Sequence, residues 1–235
     1  MQTVAVVGAN GFVGRALCAT LAALPQFRVE PITRASYAAF EGGEVDILIN
    51  CAMPSARFRA KTDPQWDFRE TVEKTAALLY RVKARKFVQI SSVSARCQLD
   101  TVYGRHKAAA EKLCGFGDNL VVRLGALYGP GLIKGVLIDM AQRKKVFVDG
   151  RSRYCFAPLE FSVRWIAENL HRSGTVEIGG KNAVSLETVS AHLGVRVEFE
   201  GALDHQEIEG DEVDCPEASD VFAYVGALKK QPPVE

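Results

Sequence analysis

Val7-Gly8-Ala9-Asn10-Gly11-Phe12-Val13-Gly14 is the stretch that decides the fold of this chain. Before it, Thr3 to Val7 is a short, β-rich apolar run; after it, Val13, Leu17, Leu21 and Leu24 recur at helical spacing until Pro25. Strand, tight glycine turn and helix therefore follow one another directly. Further strands are read at Phe27 to Thr33, Val45 to Asn50 and Lys86 to Ser91, with an amphipathic segment, Trp66 to Val82, between the last two. Tyr103 to Cys114, rich in alanine and lysine, reads as a helix, and Asn119 to Leu124 as the next strand, closed by the turn-forming Tyr128-Gly129-Pro130-Gly131. Alternation of this kind requires parallel pairing through crossover helices, so the fold class is α/β, a Rossmann-type doubly wound parallel sheet.

Beyond this point the pattern loosens into a small C-terminal α/β part. Helices are expected at Ile133 to Gln142 and at Ser162 to Arg172, the latter with Ser162 as N-cap, and Ser185 opens one more that ends near Gly194. Short strands are expected at Val146 to Val148, Thr175 to Ile178 and Val195 to Glu200. Residues 201–220 are acidic with little periodicity, and the tail Lys229 to Glu235 is expected to fray. The division is a dinucleotide-binding domain over 1–128 and a smaller substrate-binding part over 129–235, interleaved so that 162–178 returns to the main sheet. Only eleven residues lie between Thr33 and Val45, too few for a helix, a strand and their connections, so one strand of the usual sheet is expected to be missing.

With 48% hydrophobic and 24% charged residues and a formal net charge of +1, the composition is that of an ordinary globular protein and argues against a nucleic-acid partner. No apolar run reaches 18 residues, and the first apolar stretch lacks a basic segment before it, so no membrane span and a cytoplasmic location are expected. The six cysteines are scattered, without a CxxC pair or a cysteine-histidine cluster, which predicts reduced, buried thiols and no metal site.

The glycine turn carries the first chemistry. Gly8, Gly11 and Gly14 let the backbone turn with positive φ and let a pyrophosphate approach unhindered, while free N–H groups at the helix start supply an anion site. The spacing is GxxGxxG, and a strand before with a helix after makes it a dinucleotide turn. Some 20 residues past the last glycine, an acid would select NAD and an arginine would accommodate the 2′-phosphate of NADP. That position is Arg34, so NADP is preferred over NAD.

Tyr103 and Lys107 stand at i and i+4 and share one helix face, where an ammonium beside a phenol favours the phenolate and lowers a pKa of about 10. Such a tyrosine can exchange a proton with a carbinol oxygen while hydride moves to or from a nicotinamide. Ser92, at the carboxyl end of a strand where ligands of open α/β sheets gather, is placed to hydrogen-bond the same oxygen. His106, three residues past Tyr103, reads as a helix-surface position.

The glycine turn, Asp46-Ile47-Leu48-Ile49-Asn50-Cys51-Ala52, Phe87-Val88-Gln89-Ile90-Ser91-Ser92 and Tyr103-Gly104-Arg105-His106-Lys107, in this order, resemble the extended short-chain dehydrogenase/reductase family of nucleotide-sugar epimerases, dehydratases and reductases. The likeness covers roughly residues 1–180 and includes Val122 to Gly131, similar to the family's passage from cofactor domain to substrate domain. The resemblance implies an oxidoreductase or isomerase that transfers hydride at a sugar-nucleotide carbinol or ketone, with Ser92, Tyr103 and Lys107 catalytic. It also implies cofactor contacts at Gly8, Asn10, Gly11, Phe12, Val13, Gly14, Arg34, Cys51, Ala52 and, through the nicotinamide ribose, Lys107. A homodimer joined through Trp66 to Val82 and Tyr103 to Cys114 is a further implication.

Departures from the family narrow the chemistry. Val93 and Ser94 stand where family dehydratases carry an Asp-Glu pair, which disfavours dehydration. Ser92 also lies closer to Tyr103 than is usual for extended members, implying a differently shaped substrate entrance. Ser92, Arg123 and Arg153 are the substrate-binding candidates, the arginines because a guanidinium suits a diphosphate. Two alternatives stay open: a reductase of a non-sugar carbonyl compound, and a non-catalytic regulator that senses NADP.

Overall fold

The computed structural model describes residues 1–228, and the expected frayed tail at 229–235 lies outside them. The described residues fall into two compact units, one of residues 1–124 with 163–176, the other of 125–162 with 177–228.

The first unit opens with β1 (Gln2–Val7), α1 (Phe12–Ala22), β2 (Phe27–Ile32), the single turn α2 (Tyr37–Phe40) and β3 (Glu44–Asn50). It continues through α3 (Arg57–Thr62), α4 (Pro64–Phe68), a π-helical turn at Arg69–Glu73, α5 (Lys74–Arg81) and β4 (Lys83–Ser92). The turn α6 (Ser94–Cys97), α7 (Val102–Cys114) and β5 (Leu120–Leu124) complete the run. β1 pairs in parallel with both β2 and β3, and β4 in parallel with β3 and β5. Strands covered by helices on both faces need no polar side, which is why Val4, Ala5, Val6, Leu48, Ile49 and Val88 are fully buried in succession. β2 is the edge strand, half-exposed and carrying Pro31, a residue such a position tolerates because it has no N–H to give to a neighbour. The turn α2 takes the place of a helix and strand, and no strand lies beyond β2 among the described residues.

The amphipathic segment expected at Trp66 to Val82 is three pieces, since Arg69–Glu73 widens into a π-turn between α4 and α5. Such a bulge is a single-turn insertion that shifts the helix face, and it is frequent at functional sites.

In the second unit, β6 (Leu127–Tyr128), α8 (Val136–Ala141), β7 (Arg153–Tyr154) and β8 (Ala157–Pro158) precede α9 (Leu159–Glu168), in which the chain passes to the first unit. β9 (Gly174–Ile178) joins the main sheet, giving the order β2-β1-β3-β4-β5-β9, and β10 (Val184–Ser185), α10 (Leu186–Leu193) and α11 (Val221–Leu228) follow. Ser185 caps α10 by accepting from the Thr188 amide, and Gly194 ends it at φ +63°, as the sequence predicted. Ser162 does not cap a helix. α9 starts three residues earlier, and the Ser162 hydroxyl donates back to the carbonyl of Pro158, 3.2 Å away. The strands expected at Val146 to Val148 and Val195 to Glu200 reduce to a single bridge between Val146 and Phe199. Tyr128, Leu137, Phe156, Leu186 and Val225 are among the buried side chains that hold this unit together. No helix among the described residues is long and apolar enough to cross a membrane.

Candidate active site

The carboxyl ends of β1, β2 and β3 meet at the glycine turn. Gly8 sits at φ +86°, and its amide and that of Ala9 donate to the Ile32 carbonyl at the end of β2. A Cβ on Gly8 would lie 2.9 Å from the backbone of Cys51 and Ala52, so the turn and the exit of β3 touch with nothing between them. Gly14 is demanded by a different neighbour, the Gly8 carbonyl oxygen, which would stand 2.3 Å from an added Cβ. Gly11 begins α1 without a side-chain cap, and the first turn of that helix carries no acid, leaving its amides to an anion. Asn10 is exposed, Phe12, Val13, Cys51 and Ala52 are half-buried around the turn, and Arg34 stands exposed two residues past Ile32. This cradle of backbone fits a phosphate group.

The second cluster gathers beyond the end of β4. Ser92 is the last residue of that strand; its hydroxyl donates to Ser94 Oγ at 3.1 Å and accepts from the Ser94 amide at 3.2 Å. Thr101 caps α7, its Oγ1 accepting from the Gly104 amide at 3.0 Å and donating to the Gln98 carbonyl at 2.8 Å. Gly104 lets the helix lie down there, since a Cβ would stand 2.0 Å from the Gln98 oxygen. The first turn of α7 thereby presents Tyr103, 7% exposed, and its second turn Lys107, 3% exposed, with Nζ 5.1 Å from the phenol ring centroid.

Burial governs the charges. Desolvation pushes Lys107 down to about 7, with Asp67 and Glu111 pulling the other way. Burial likewise pushes the Tyr103 phenol above its ordinary value, opposed first by the charge of Arg57 and then by a hydrogen bond with Ser92. The downward pull expected from Lys107 comes instead from Arg57, a residue the sequence reading did not single out. Arg57, from α3, donates through Nη2 to Ser94 Oγ at 2.8 Å and lies 5.6 Å from the centroid of the Tyr103 ring. Arg57, Ser94, Ser92 and Tyr103 thus form one polar chain.

Two more side chains escaped the sequence reading. Asp67 on α4 is fully buried, and its Oδ2 lies 2.8 Å from Nδ1 of His106 on α7. His106 is therefore not a free surface residue; it is four-fifths buried, edge-on to Phe68, and tied to a carboxylate beneath it. The other oxygen, Asp67 Oδ1, and the Thr71 hydroxyl in the π-turn are buried without a protein partner. Only spatial proximity joins residues 67 and 106, so no local motif could have announced them.

The arginines expected to bind substrate have partners. Arg123 on β5 grips the Glu111 carboxylate through Nε at 3.1 Å and Nη2 at 2.7 Å, and Glu111 also accepts from the buried Ser91 hydroxyl at 2.6 Å. That network fastens α7 to the sheet, the role the structure gives Arg123. Arg153, exposed in the second unit, donates from Nε to Glu207 at 3.0 Å. No cluster of three metal-ligating side chains exists among the described residues.

Comparison with protein-family models and with curated proteins finds no match. Solved structures do match over nearly the whole chain, and those matched share its α/β fold. Among them is the dTDP-4-dehydrorhamnose reductase of Bacillus anthracis in complex with NADP, 13% identical, with a TM-score of 0.74 over 98% of this chain and 100% of that one. The UDP-glucuronic acid 4-epimerase of Bacillus cereus, in complex with UDP-glucuronic acid and NAD, is 20% identical with a TM-score of 0.68, over 99% of this chain and 95% of that one. RMD from Pseudomonas aeruginosa, complexed with NADPH, is 19% identical with a TM-score of 0.71, over 97% of each chain. At these identities the likeness is one of fold.

Proposed function

We propose that this protein is an NADP-preferring oxidoreductase of the extended short-chain dehydrogenase/reductase type, acting on the carbinol or ketone of a sugar nucleotide. One observation carries the reading: a buried tyrosine, hydrogen-bonded to the strand-end Ser92 and followed one helical turn later by a buried lysine, stands at the same carboxyl edge of the sheet as an uncapped glycine turn. Such an edge is where open α/β sheets bind their ligands.

The residues present fit a nicotinamide dinucleotide. Gly8, Gly11 and Gly14 leave the space that side chains would fill, the amides of Phe12 and Val13 begin an uncapped helix for the pyrophosphate, and Arg34 offers a cation for a 2′-phosphate. The dinucleotide would supply the hydride. Tyr103 moves the proton: its O–H is given to the substrate oxygen on reduction and recovered from it on oxidation. Ser92 holds that oxygen in register, and Arg57, anchored through Ser94, opposes the penalty that burial imposes on the phenolate.

The test is paired. NADPH titrated into purified protein, followed by cofactor fluorescence, is expected to bind wild type and Tyr103→Phe alike, while turnover of a nucleotide 4-ketosugar falls at least about 100-fold in the variant. Retained turnover removes Tyr103 from the chemistry, and absence of NADPH binding removes the whole assignment.

A further inference from the structure

Parallel strands buried on both faces are served by aliphatic and aromatic side chains, and β4 runs through Phe87, Val88 and Ile90 in that way. Gln89 breaks the run. Its side chain is fully buried, as are those of Asn50, its register partner on β3, and Thr75 on α5. Burying a carboxamide is costly unless its groups are paired, so its partners decide its role.

The bonds form a chain whose direction is fixed at both ends by backbone. At one end the Ala52 amide, which can only donate, bonds to Asn50 Oδ1 at 3.0 Å. At the other the Thr71 carbonyl, which can only accept, receives the Thr75 hydroxyl at 2.7 Å. Thr75 Oγ1 therefore accepts from Asn50 Nδ2, at 3.2 Å, and the second Nδ2 hydrogen goes to Gln89 Oε1, at 3.1 Å. Only one orientation of the Gln89 carboxamide satisfies this chain, and it turns Nε2 toward the Met53 sulfur, to which it donates at 2.9 Å. The peptide leaving β3 is thus held twice, at Ala52 through Asn50 and at Met53 through Gln89. This is the peptide on which the glycine turn is seated, since a Cβ on Gly8 would lie 2.9 Å from the Ala52 nitrogen.

Resting on the dinucleotide reading above, we propose that Gln89 is a positioning residue for the cofactor: by orienting the Asn50 carboxamide and tethering Met53, it fixes Cys51 and Ala52 where a dinucleotide on the glycine turn would be received. An aliphatic side chain fills the same place in the strand and does neither. Gln89→Leu keeps the volume and the burial, but leaves Asn50 able to turn its carboxamide over and releases Met53.

Gln89→Glu separates positioning from packing. Protonated, the new carboxyl accepts from Asn50 through its carbonyl and donates its O–H to Met53, the pattern of the amide; ionised, it has no hydrogen for the sulfur. Burial raises its titration above the ordinary value of about 4.3. NADPH titrated into purified protein is expected to bind Gln89→Glu as it binds wild type at pH about 5 and roughly tenfold more weakly at pH about 8, while Gln89→Leu binds roughly tenfold more weakly at both. Each affinity is taken relative to wild type at the same pH, which removes the contribution of Lys107 and Glu111, the buried charged groups of α7, and of the cofactor itself. Wild-type affinity in Gln89→Leu, or a ratio for Gln89→Glu that does not change with pH, overturns the proposal. Exchange of the Ala52 amide in deuterated water needs no cofactor; it is expected to be faster in Gln89→Leu than in wild type, and equal rates overturn the anchoring. Should wild type bind no NADPH, the functional reading fails, and the exchange rates still decide the anchoring by themselves.

Discussion

The glycine turn and the α7 cluster lie along one edge of the same sheet and work by opposite means. At the turn, the proposed function comes from what is missing: side chains at residues 8, 11 and 14 are absent so that backbone can approach backbone, which leaves room for an anion. At α7, it comes from what is crowded together: Arg57, Asp67, Tyr103, Lys107 and Glu111 come from three helices, and four of them are buried. The turn is a local object written in eight consecutive residues. The cluster is a tertiary object, assembled from residues far apart in the sequence.

The sharpest way to test that contrast is through one closely packed glycine in each region. Gly104→Ala drives a methyl into the Gln98 carbonyl, and Gly14→Ala drives one into the Gly8 carbonyl, at 2.0 and 2.3 Å. Each is expected to lower stability by about 3 kcal/mol in chemical denaturation, even though alanine is the better helix former by about 1 kcal/mol. Gly226→Ala in α11, where no atom lies within 4 Å, is the control and is expected to raise stability by about 0.5–1 kcal/mol. If Gly104→Ala behaved like the control, α7 would not be seated on Gln98, and the placing of Tyr103 would need another cause.

What could be read from the sequence follows the same division. Parallel strands, the missing strand after Thr33, the N-cap at Ser185 and the pairing of Tyr103 with Lys107 on one helix face all depend on residues within a few positions of one another, and periodicity or cap chemistry reaches that far. Arg57 and Asp67 lie 46 and 39 positions from Tyr103 and His106, which they meet, and both occur in a stretch whose charges look like an exposed helix. The π-turn at Arg69–Glu73 is equally silent, because an inserted residue in an amphipathic run changes the phase without changing the composition. Ser162 misled for a physical reason too: a serine near a helix start can cap forward or bond backward, and here Pro158 offers its carbonyl.

Crowding of charge also has a pH signature. Lys107 titrates at about 7 in the folded chain against its ordinary 10.5, so between those values the unfolded chain holds the extra proton and stability rises with pH. Below about 7 both states are charged and the folded protein carries the full burial penalty; above 10.5 both are neutral and the penalty is gone. Lys107→Met is therefore expected to be more stable than wild type at acidic to neutral pH, by up to about 5 kcal/mol, with the gap closing as pH rises through that window. Denaturation curves of the two proteins across the range measure it, and a gap independent of pH would mean that the ammonium is solvated in the folded state. No such dependence is expected of the glycine turn, which contains no titratable group.

The smallest expected effect belongs to the turn, because the selectivity proposed for it hangs on one exposed side chain. Arg34 follows the strand whose Ile32 carbonyl receives the amides of Gly8 and Ala9, so on the proposed reading a dinucleotide on the turn would have its adenosine ribose near that arginine. In water an exposed guanidinium–phosphate contact is screened, and its loss should weaken NADPH binding by roughly tenfold rather than abolish it. Arg34→Asp is expected to reverse the order of NADPH and NADH affinities in parallel titrations, since a carboxylate repels the 2′-phosphate and accepts from the 2′-hydroxyl. An unchanged ratio would assign Arg34 to the solvent and leave the turn as a binding site for pyrophosphate alone, with no means in this region of telling the two cofactors apart.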